Sequence, residues 1–232
     1  MAIHGKRYRD LTKNYDVQTN YPLDEAVKLT QQNAKAKFDE TIEIHFRLGI
    51  DPRHSDQQIR TTVMLPNGTG KSVRVLAFAE GDDARIASEA GADFIGDDDM
   101  IAKIRDEGWL DFDATIGTPA MMRKIGAIAR ILGPRGLMPS PKAGTVVQSE
   151  ELVRVISELK AGRVEFRNDK TGNLHIPVGK ASFEYEKLLE NVQTVVNAVQ
   201  AQRPSGVKGI YIRRMVLTST MGPAVRVEGY NN

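Results

Sequence analysis

The chain predicts an antiparallel α+β fold interrupted by a small open α/β unit, and three observations lead there. Strictly alternating strands occur near both ends, as at Thr41-Ile-Glu-Ile-His-Phe-Arg-Leu48. A near-continuous apolar run, Val73-Arg-Val-Leu-Ala-Phe-Ala79, opens a middle stretch where short strands alternate with helical segments. Charge follows the same division: residues 1–70 with 160–232 carry a net +6, residues 71–159 a net −4. Within the middle, Glu80 to Asp113 holds twelve acids against three bases. Basic, acidic, then basic again is the pattern that one domain inserted into another produces.

The elements follow in order. His4-Gly-Lys-Arg-Tyr-Arg9 reads as a basic arm, a phosphate contact or a solvated terminus. Pro22 with Asp24 and Glu25 marks a helix start, since acids favour the positive end of the dipole. In 41–48, Ile42, Ile44, Phe46 and Leu48 share one face, and Thr41, Glu43, His45 and Arg47 the other, which describes a half-buried strand. Ile59–Leu65 is a second strand, closed by Pro66-Asn-Gly-Thr-Gly70. The Val73–Ala79 run fits a strand covered on both faces. Helices near Asp82–Ala90, Asp99–Asp106 and Pro119–Leu132 alternate with strands at Ala92–Ile95 and Ala114–Ile116. Ser149 is expected to cap a helix reaching Lys160, with Leu152, Val155, Ile156 and Leu159 inward and Gly162 as its stop.

Past Gly162 the alternation returns. Val164 and Phe166 oppose Arg163, Glu165 and Arg167; the turn Asn168-Asp-Lys-Thr-Gly172 leads to Leu174, Ile176 and Val178, opposite His175. A helix over Phe183–Ala201 buries Tyr185, Leu188, Leu189, Val192, Val195, Val196 and Val199, and Pro204 ends it. The last strand, Gly209–Ser219, turns at Thr220-Met-Gly-Pro223 into Ala224–Val227.

Composition removes several function classes. No cysteine is present, which excludes disulfides, thiolate zinc sites and cysteine nucleophiles, and suits a reducing compartment. His4, His45, His54 and His175 lack metal-ligand spacing. No run is long and apolar enough for a membrane span, and no signal-peptide core opens the chain, so a soluble cytoplasmic protein is expected. Gly68-Thr-Gly-Lys-Ser72 fails as a phosphate loop because Leu65 stands where the first glycine is required and a strand follows instead of a helix. Asp97-Asp-Asp99 cannot converge on one ion from one short loop and is better placed at a helix N-terminus.

Three features point to polyanion binding. Between Gly117 and Ser149 there are five bases and no acid, around Arg130-Ile-Leu-Gly-Pro-Arg-Gly-Leu-Met-Pro-Ser-Pro-Lys-Ala-Gly144. Three prolines and three glycines in Gly133–Gly144 predict an extended loop holding Arg135 and Lys142 outward, towards phosphate or simply solvent. His45, Arg47, Arg163, Arg167 and His175 are expected on the uncovered side of one sheet, with Lys37 and Phe38 just before it. Cations beside an aromatic suit RNA, whose phosphates meet Arg or Lys and whose bases stack; an ordinary solvated face reads the same way. The Ser219-Thr-Met-Gly-Pro223 turn offers a hydroxyl and a soft apolar surface at its lip, exposed in the free protein.

The chain resembles the L-one family of large-ribosomal-subunit proteins, bacterial type. The resemblance rests on Lys37-Phe-Asp-Glu-Thr41, Leu48-Gly-Ile-Asp-Pro52, Leu65-Pro-Asn-Gly68 with Gly70-Lys71, Gly126 through Gly144, Lys160-Ala-Gly-Arg-Val-Glu-Phe-Arg-Asn-Asp-Lys-Thr-Gly172, Pro177-Val-Gly-Lys-Ala-Ser-Phe183 and Ser219-Thr-Met-Gly-Pro223. It implies a discontinuous α+β terminal domain, residues 1–67 and 160–232, with an antiparallel sheet and helices on one face. An α/β three-layer Rossmann-like domain, 68–159, is inserted in it. It implies that the terminal domain grips the mobile stalk of large-subunit ribosomal RNA beside the exit site for deacylated tRNA. It also implies repression of the protein's own operon messenger. The RNA-contacting residues it carries over are Lys37, Phe38, His45, Arg53, Arg167, Lys170, Thr171, Ser219, Thr220, Met221 and Gly222. No enzymatic activity, cofactor or metal is implied. Two other readings remain at this stage: an α/β enzyme taking a phosphorylated substrate at Gly133–Gly144, for which no acid or base stands nearby, and a regulator of messenger RNA alone.

Overall fold

A computed structural model of the chain describes residues 5–229, so the first residue of the expected basic arm, His4, lies outside the described residues. The chain opens with α1 (Lys6–Leu11), β1 (Asn20–Tyr21), α2 (Leu23–Asn33), β2 (Thr41–Leu48) and β3 (Arg60–Met64). The middle contributes β4 (Val75–Phe78), α3 (Asp82–Glu89), β5 (Phe94–Ile95), α4 (Asp98–Glu107), β6 (Ala114–Gly117), α5 (Met122–Ile125), α6 (Ala129–Leu132) and α7 (Leu152–Ala161). Then follow β7 (Arg163–Arg167), β8 (Asn173–Lys180), α8 (Tyr185–Ala201), β9 (Ile212–Ser219) and β10 (Val225–Val227). The described residues divide into two compact units, one running to Gly70 and resuming at Val164, the other Lys71–Arg163.

The first unit is organised by a five-stranded sheet of order β1-β10-β9-β2-β8, antiparallel except at the β1–β10 edge pair. Alternation decides which side is buried. Ile42, Ile44, Phe46, Leu174, Ile176, Val178, Met215 and Leu217 face inward, and the apolar stripes of α2 (Ala26, Val27) and α8 (Leu188, Val192, Val195, Val196, Val199) cover them. Pro22 caps α2, with Asp24 and Glu25 in its first turn, as dipole arguments require.

Two features here departed from the sequence pattern. The basic arm includes a short helix, α1, and β7 pairs with β3 in a separate two-stranded sheet instead of joining the large one. Asn191, which the apolar periodicity of α8 gave no reason to single out, is fully buried. It accepts from Asn67 N at 3.1 Å and donates to Gly68 O and Val178 O at 2.9 and 2.8 Å. A buried amide is stable only when its bonds are made, and these tie the segment after β3 onto α8. The first unit accordingly keeps the chain as far as Gly70.

The second unit holds a parallel three-stranded sheet, order β5-β4-β6, in which β4 is buried throughout. Asp97 caps α4, its carboxylate accepting from Met100 N at 2.9 Å, with Asp98 and Asp99 in the first turn. The single helix expected over Pro119–Leu132 is instead α5 and α6 joined by a 3-10 turn at Gly126–Ile128. Glycine there lacks the side-chain packing and propensity that would hold a continuous helix. Ser149 does not cap α7: it starts a 3-10 turn, and neither that turn nor α7 has a side-chain cap. Gly162 does end α7, in the left-handed conformation at φ 112°.

The Gly133–Gly144 loop is also less extended than its composition suggests. Proline at the first positions sets φ for two 3-10 turns, Gly133–Arg135 and Pro141–Ala143, each closed by a left-handed glycine, Gly136 and Gly144. Arg135 and Lys142 nonetheless point into solvent.

Candidate nucleic-acid interface

The loop from α2 to β2 and the turn after β9 are held together by one buried carboxylate. Glu40, 1% exposed, accepts from Ala36 N at 2.7 Å through Oε1, and from Ser219 Oγ and Met221 N at 2.9 and 2.8 Å through Oε2. Arg7 of α1 approaches to 3.6 Å. Burying a charge is costly unless it is bonded and paired. Burial pushes the Glu40 pKa up, but the Met221 and Ala36 amides, the Ser219 hydroxyl and Arg7 outweigh it and hold it below the ordinary glutamate value. Two further bonds complete the seam: Thr41 N donates to Thr220 Oγ1 and Thr220 N to Thr41 O, both at 3.0 Å. Segments 179 residues apart thus form one structure.

That structure displays what it does not bury. Phe38 and Met221 are 55% and 56% exposed, among the few large apolar side chains left in solvent, and Lys37 is exposed beside Phe38. Asp39, between Phe38 and Glu40, is anchored the other way, accepting from Ser182 N and Ser182 Oγ at 3.1 and 2.8 Å. An exposed aromatic on a fixed loop is a stacking platform for a base.

On the outward face of the sheet, His45 of β2 lies opposite His175 of β8. Their Nδ1 atoms are 2.9 Å apart, so one ring carries the proton there and the other offers its lone pair. His45 Nε2 also meets Thr218 Oγ1 at 3.0 Å. Burial, then His175, lowers the His45 pKa, against a smaller upward pull from Glu43 at 4.0 Å.

The 168–172 turn presents Lys170 and is shaped by Asp169. Its carboxylate accepts from Thr171 N, Thr171 Oγ1 and Asn173 N at 2.8 Å, and from Asn173 Nδ2 at 3.0 Å. Burial raises the Asp169 pKa, but these donors outweigh it and hold the carboxyl well below the usual carboxylate range. Gly172 takes φ +79°, a conformation that glycine adopts freely.

The structure thus sorts the residues picked out in the sequence. Lys37, Phe38, Arg53, Arg167, Lys170 and Met221 are exposed, and His45 is half-buried in the face. Ser219, 3% exposed, spends its hydroxyl on Glu40. Thr220 spends its hydroxyl on Thr41, and Thr171 on Asp169. A side chain at Gly222 would collide with Ser219 Oγ, so the missing Cβ serves the turn itself. In the free protein these hydroxyls are engaged within the chain, and Gly222 gives the turn its room. Arg163 leaves the expected face altogether, since its guanidinium bonds Glu158 at 3.0 Å and Ala143 O at 2.8 Å. Arg167 stands on β7 in the two-stranded sheet, apart from the His45 row. Sequence reasoning missed Glu40. Its one signal was an acid directly before an alternating strand, and nothing in the sequence tells that its partners lie at the other end of the chain.

Among the described residues no cluster of His, Asp and Glu is placed to hold a metal ion, and no helix is long and apolar enough to cross a membrane. Exposed cations and apolar groups stand here on loops shaped by satisfied carboxylates, the surface of a non-catalytic protein of the ribosome. The chain belongs to the ribosomal protein L1p/L10e family, whose model matches residues 29–223, and it is not an enzyme. It is 56% identical over 228 residues to the large ribosomal subunit protein uL1 of Chloroflexus aggregans, covering 98% of this chain and 96% of that one. It is 53% identical over 232 residues, the whole of both chains, to the uL1 protein of Thermus thermophilus. The uL1 protein of Thermosipho melanesiensis is 54% identical over 227 residues, 98% of this chain and 97% of its own.

Proposed function

We propose that this chain is a structural constituent of the large ribosomal subunit, working in the cytoplasm, and that it binds the mobile ribosomal RNA stalk beside the tRNA exit site. The observation that carries this is the seam at Glu40, which fixes Phe38, Lys37 and Met221 as one exposed, partly apolar, cationic surface. Phe38 and Met221 pack on unpaired bases or riboses, while Lys37, Arg53, Arg167 and Lys170 meet phosphates. The half-buried His45 contributes at the centre of the sheet face. In this reading the RNA-binding domain is the discontinuous one, near 1–67 and 160–232, with the α/β domain near 68–159 inserted in it, and the stalk it holds stands beside exit-site tRNA.

The same surface accepts a stalk-like structure in the protein's own operon messenger, and occupying it there represses translation. The two RNAs then compete for one site. The test is binding of the full chain to a transcribed stalk fragment, with the messenger leader and an unrelated hairpin of equal length as competitors. Stalk and leader should displace each other and the hairpin should displace neither at equal concentration. Equal affinity for all three would overturn the reading, and displacement by the stalk alone would remove the repressor role.

A further inference from the structure

The end of the large sheet remote from the Thr220 turn carries a concentration of positive charge that the fold does not neutralise. Arg47 of β2 is the direct cross-strand neighbour of Arg214 of β9, and both are exposed. Like charges directly opposite each other destabilise an antiparallel pair. A register shift after Arg47 sets Leu48 opposite Ile212, leaving Arg213 as the extra residue of a bulge. By strict alternation Arg213 would turn inward beside Met215 and Leu217; the bulge breaks that alternation and it too is exposed. Gly49 allows a close backbone approach beside it, since a Cβ there would collide with Ile210 O and lie 3.1 Å from Arg213 Nε.

No acid answers these three guanidinium groups. None of them forms an ion pair among the described residues, although 18 ion pairs are found elsewhere. Two acids of the same region have other partners: Asp169 bonds Thr171 and Asn173 and lies 4.0 Å from His175, and Glu43 lies 4.0 Å from His45. A sheet that keeps a repulsive arginine pair, and a bulge that adds a third, is arranged for an anion absent from the protein itself.

We propose that Arg47 and Arg214, supported by Arg213, form a second anchoring point for the phosphodiester backbone of the RNA held at Phe38 and Met221. Six residues of β2 separate Thr41, at the Glu40 seam, from Arg47, about 20 Å at the rise of an extended strand. The arginines therefore meet a different nucleotide stretch from the one at the seam, and the RNA runs along the outward face past His45 and His175. Guanidinium forks suit phosphate oxygens and carry no base preference of their own. This inference rests on the RNA-binding reading above and extends it to the far end of the sheet.

The experiment measures affinity of the full chain for a transcribed ribosomal RNA stalk fragment over a salt series, for the wild type, Arg47→Ala, Arg214→Ala and the double variant. Each phosphate contact contributes about 0.7–0.9 to the slope of log affinity against log salt, so the double variant should be shallower by about 1.4–1.8 and each single by half of that. The ratio of stalk to unrelated RNA should stay constant, and the melting temperature should hold or rise as the repulsion is relieved. An unchanged slope in a double variant beside a wild type that binds the stalk overturns this proposal and leaves the RNA-binding reading intact. A wild type that does not bind the stalk sinks both. A lowered melting temperature with an unchanged slope would make the arginines structural, and the single variants decide the same question should the double variant fail to fold.

Discussion

The Glu40 seam and the Gly133–Gly144 loop are both glycine-and-proline-marked surfaces with cations, yet they are built on opposite principles. At the seam a buried carboxylate consumes the polar groups of two distant segments and leaves Phe38 and Met221 facing outward. In the loop, two 3-10 turns hold Arg135 and Lys142 in solvent, and neither forms an ion pair among the described residues. The first combines a fixed shape with exposed apolar area; the second holds its two cations on a proline- and glycine-set loop. If the RNA-binding reading holds, the hub should matter for which RNA is bound and the loop chiefly for overall charge.

Breaking the hub should have the largest effect. Glu40→Ala leaves the Ala36 and Met221 amides and the Ser219 hydroxyl without their acceptor, and each buried group left unpaired costs about 1–3 kcal/mol. Stalk affinity is expected to fall by more than about a hundredfold and the denaturation midpoint with it. The contribution also has a defined pH sense. The Glu40 pKa is lower folded than unfolded, so its stabilisation is present above the ordinary glutamate pKa and is lost as pH falls through the folded value. Urea titrations of wild type and Glu40→Gln from pH 7 down to pH 3 should converge towards acid. Parallel curves would deny the hub its role.

Gly222→Val comes next. From the turn's exposure in the sequence reading one expects weaker RNA binding with little change in stability. The structure revises this, because the new Cβ collides with Ser219 Oγ and displaces the bond to Glu40. Both affinity and melting temperature should drop, affinity by at least about tenfold for the loss of one such buried bond. A variant that melts like wild type would show that the turn yields without cost.

Phe38→Ala separates reading from folding. Base stacking on an aromatic is worth about 1–3 kcal/mol, so affinity should fall roughly five- to a hundredfold with the melting temperature unchanged, since Phe38 is mostly in solvent. A drop in stability instead would make it a packing residue.

A smaller effect concerns His45. Burial and His175 depress its pKa, so the unfolded chain takes up this proton first and stability declines as pH falls below about 6.5. His45→Gln should flatten that decline between about pH 7 and pH 5, read from denaturation midpoints. An unaltered slope would place the titration elsewhere on the face. Arg135→Ala should do least, weakening stalk binding by less than about twofold, because one solvated charge contributes little. If it proves more damaging than Phe38→Ala, the comparison between hub and loop is reversed and the inserted segment is the main reader.

Much of the architecture was legible in the sequence because short periods report burial directly. The alternation in 41–48 and 173–178, the unbroken apolar core of β4 and the stripe of α8 each reflect which side of an element meets a core. Local chemistry was readable too: Pro22, Asp97 and Gly162 act on their own helix ends, within a turn of where they stand.

What the sequence could not carry was long-range pairing. Whether β7 joins the large sheet or pairs with β3 depends on a partner about a hundred residues away, and alternation alone puts Arg163 and Arg167 on a face they do not share with His45. Asn191 and Glu40 read as ordinary polar residues until the fold buried them and supplied their partners. The partners of the Ser219, Thr220 and Thr171 hydroxyls within the chain are likewise visible only in the fold. Periodicity is a property of the backbone and survives in one dimension; hydrogen-bond satisfaction is decided by what the folded chain brings within 3 Å, and only the tertiary structure can determine it.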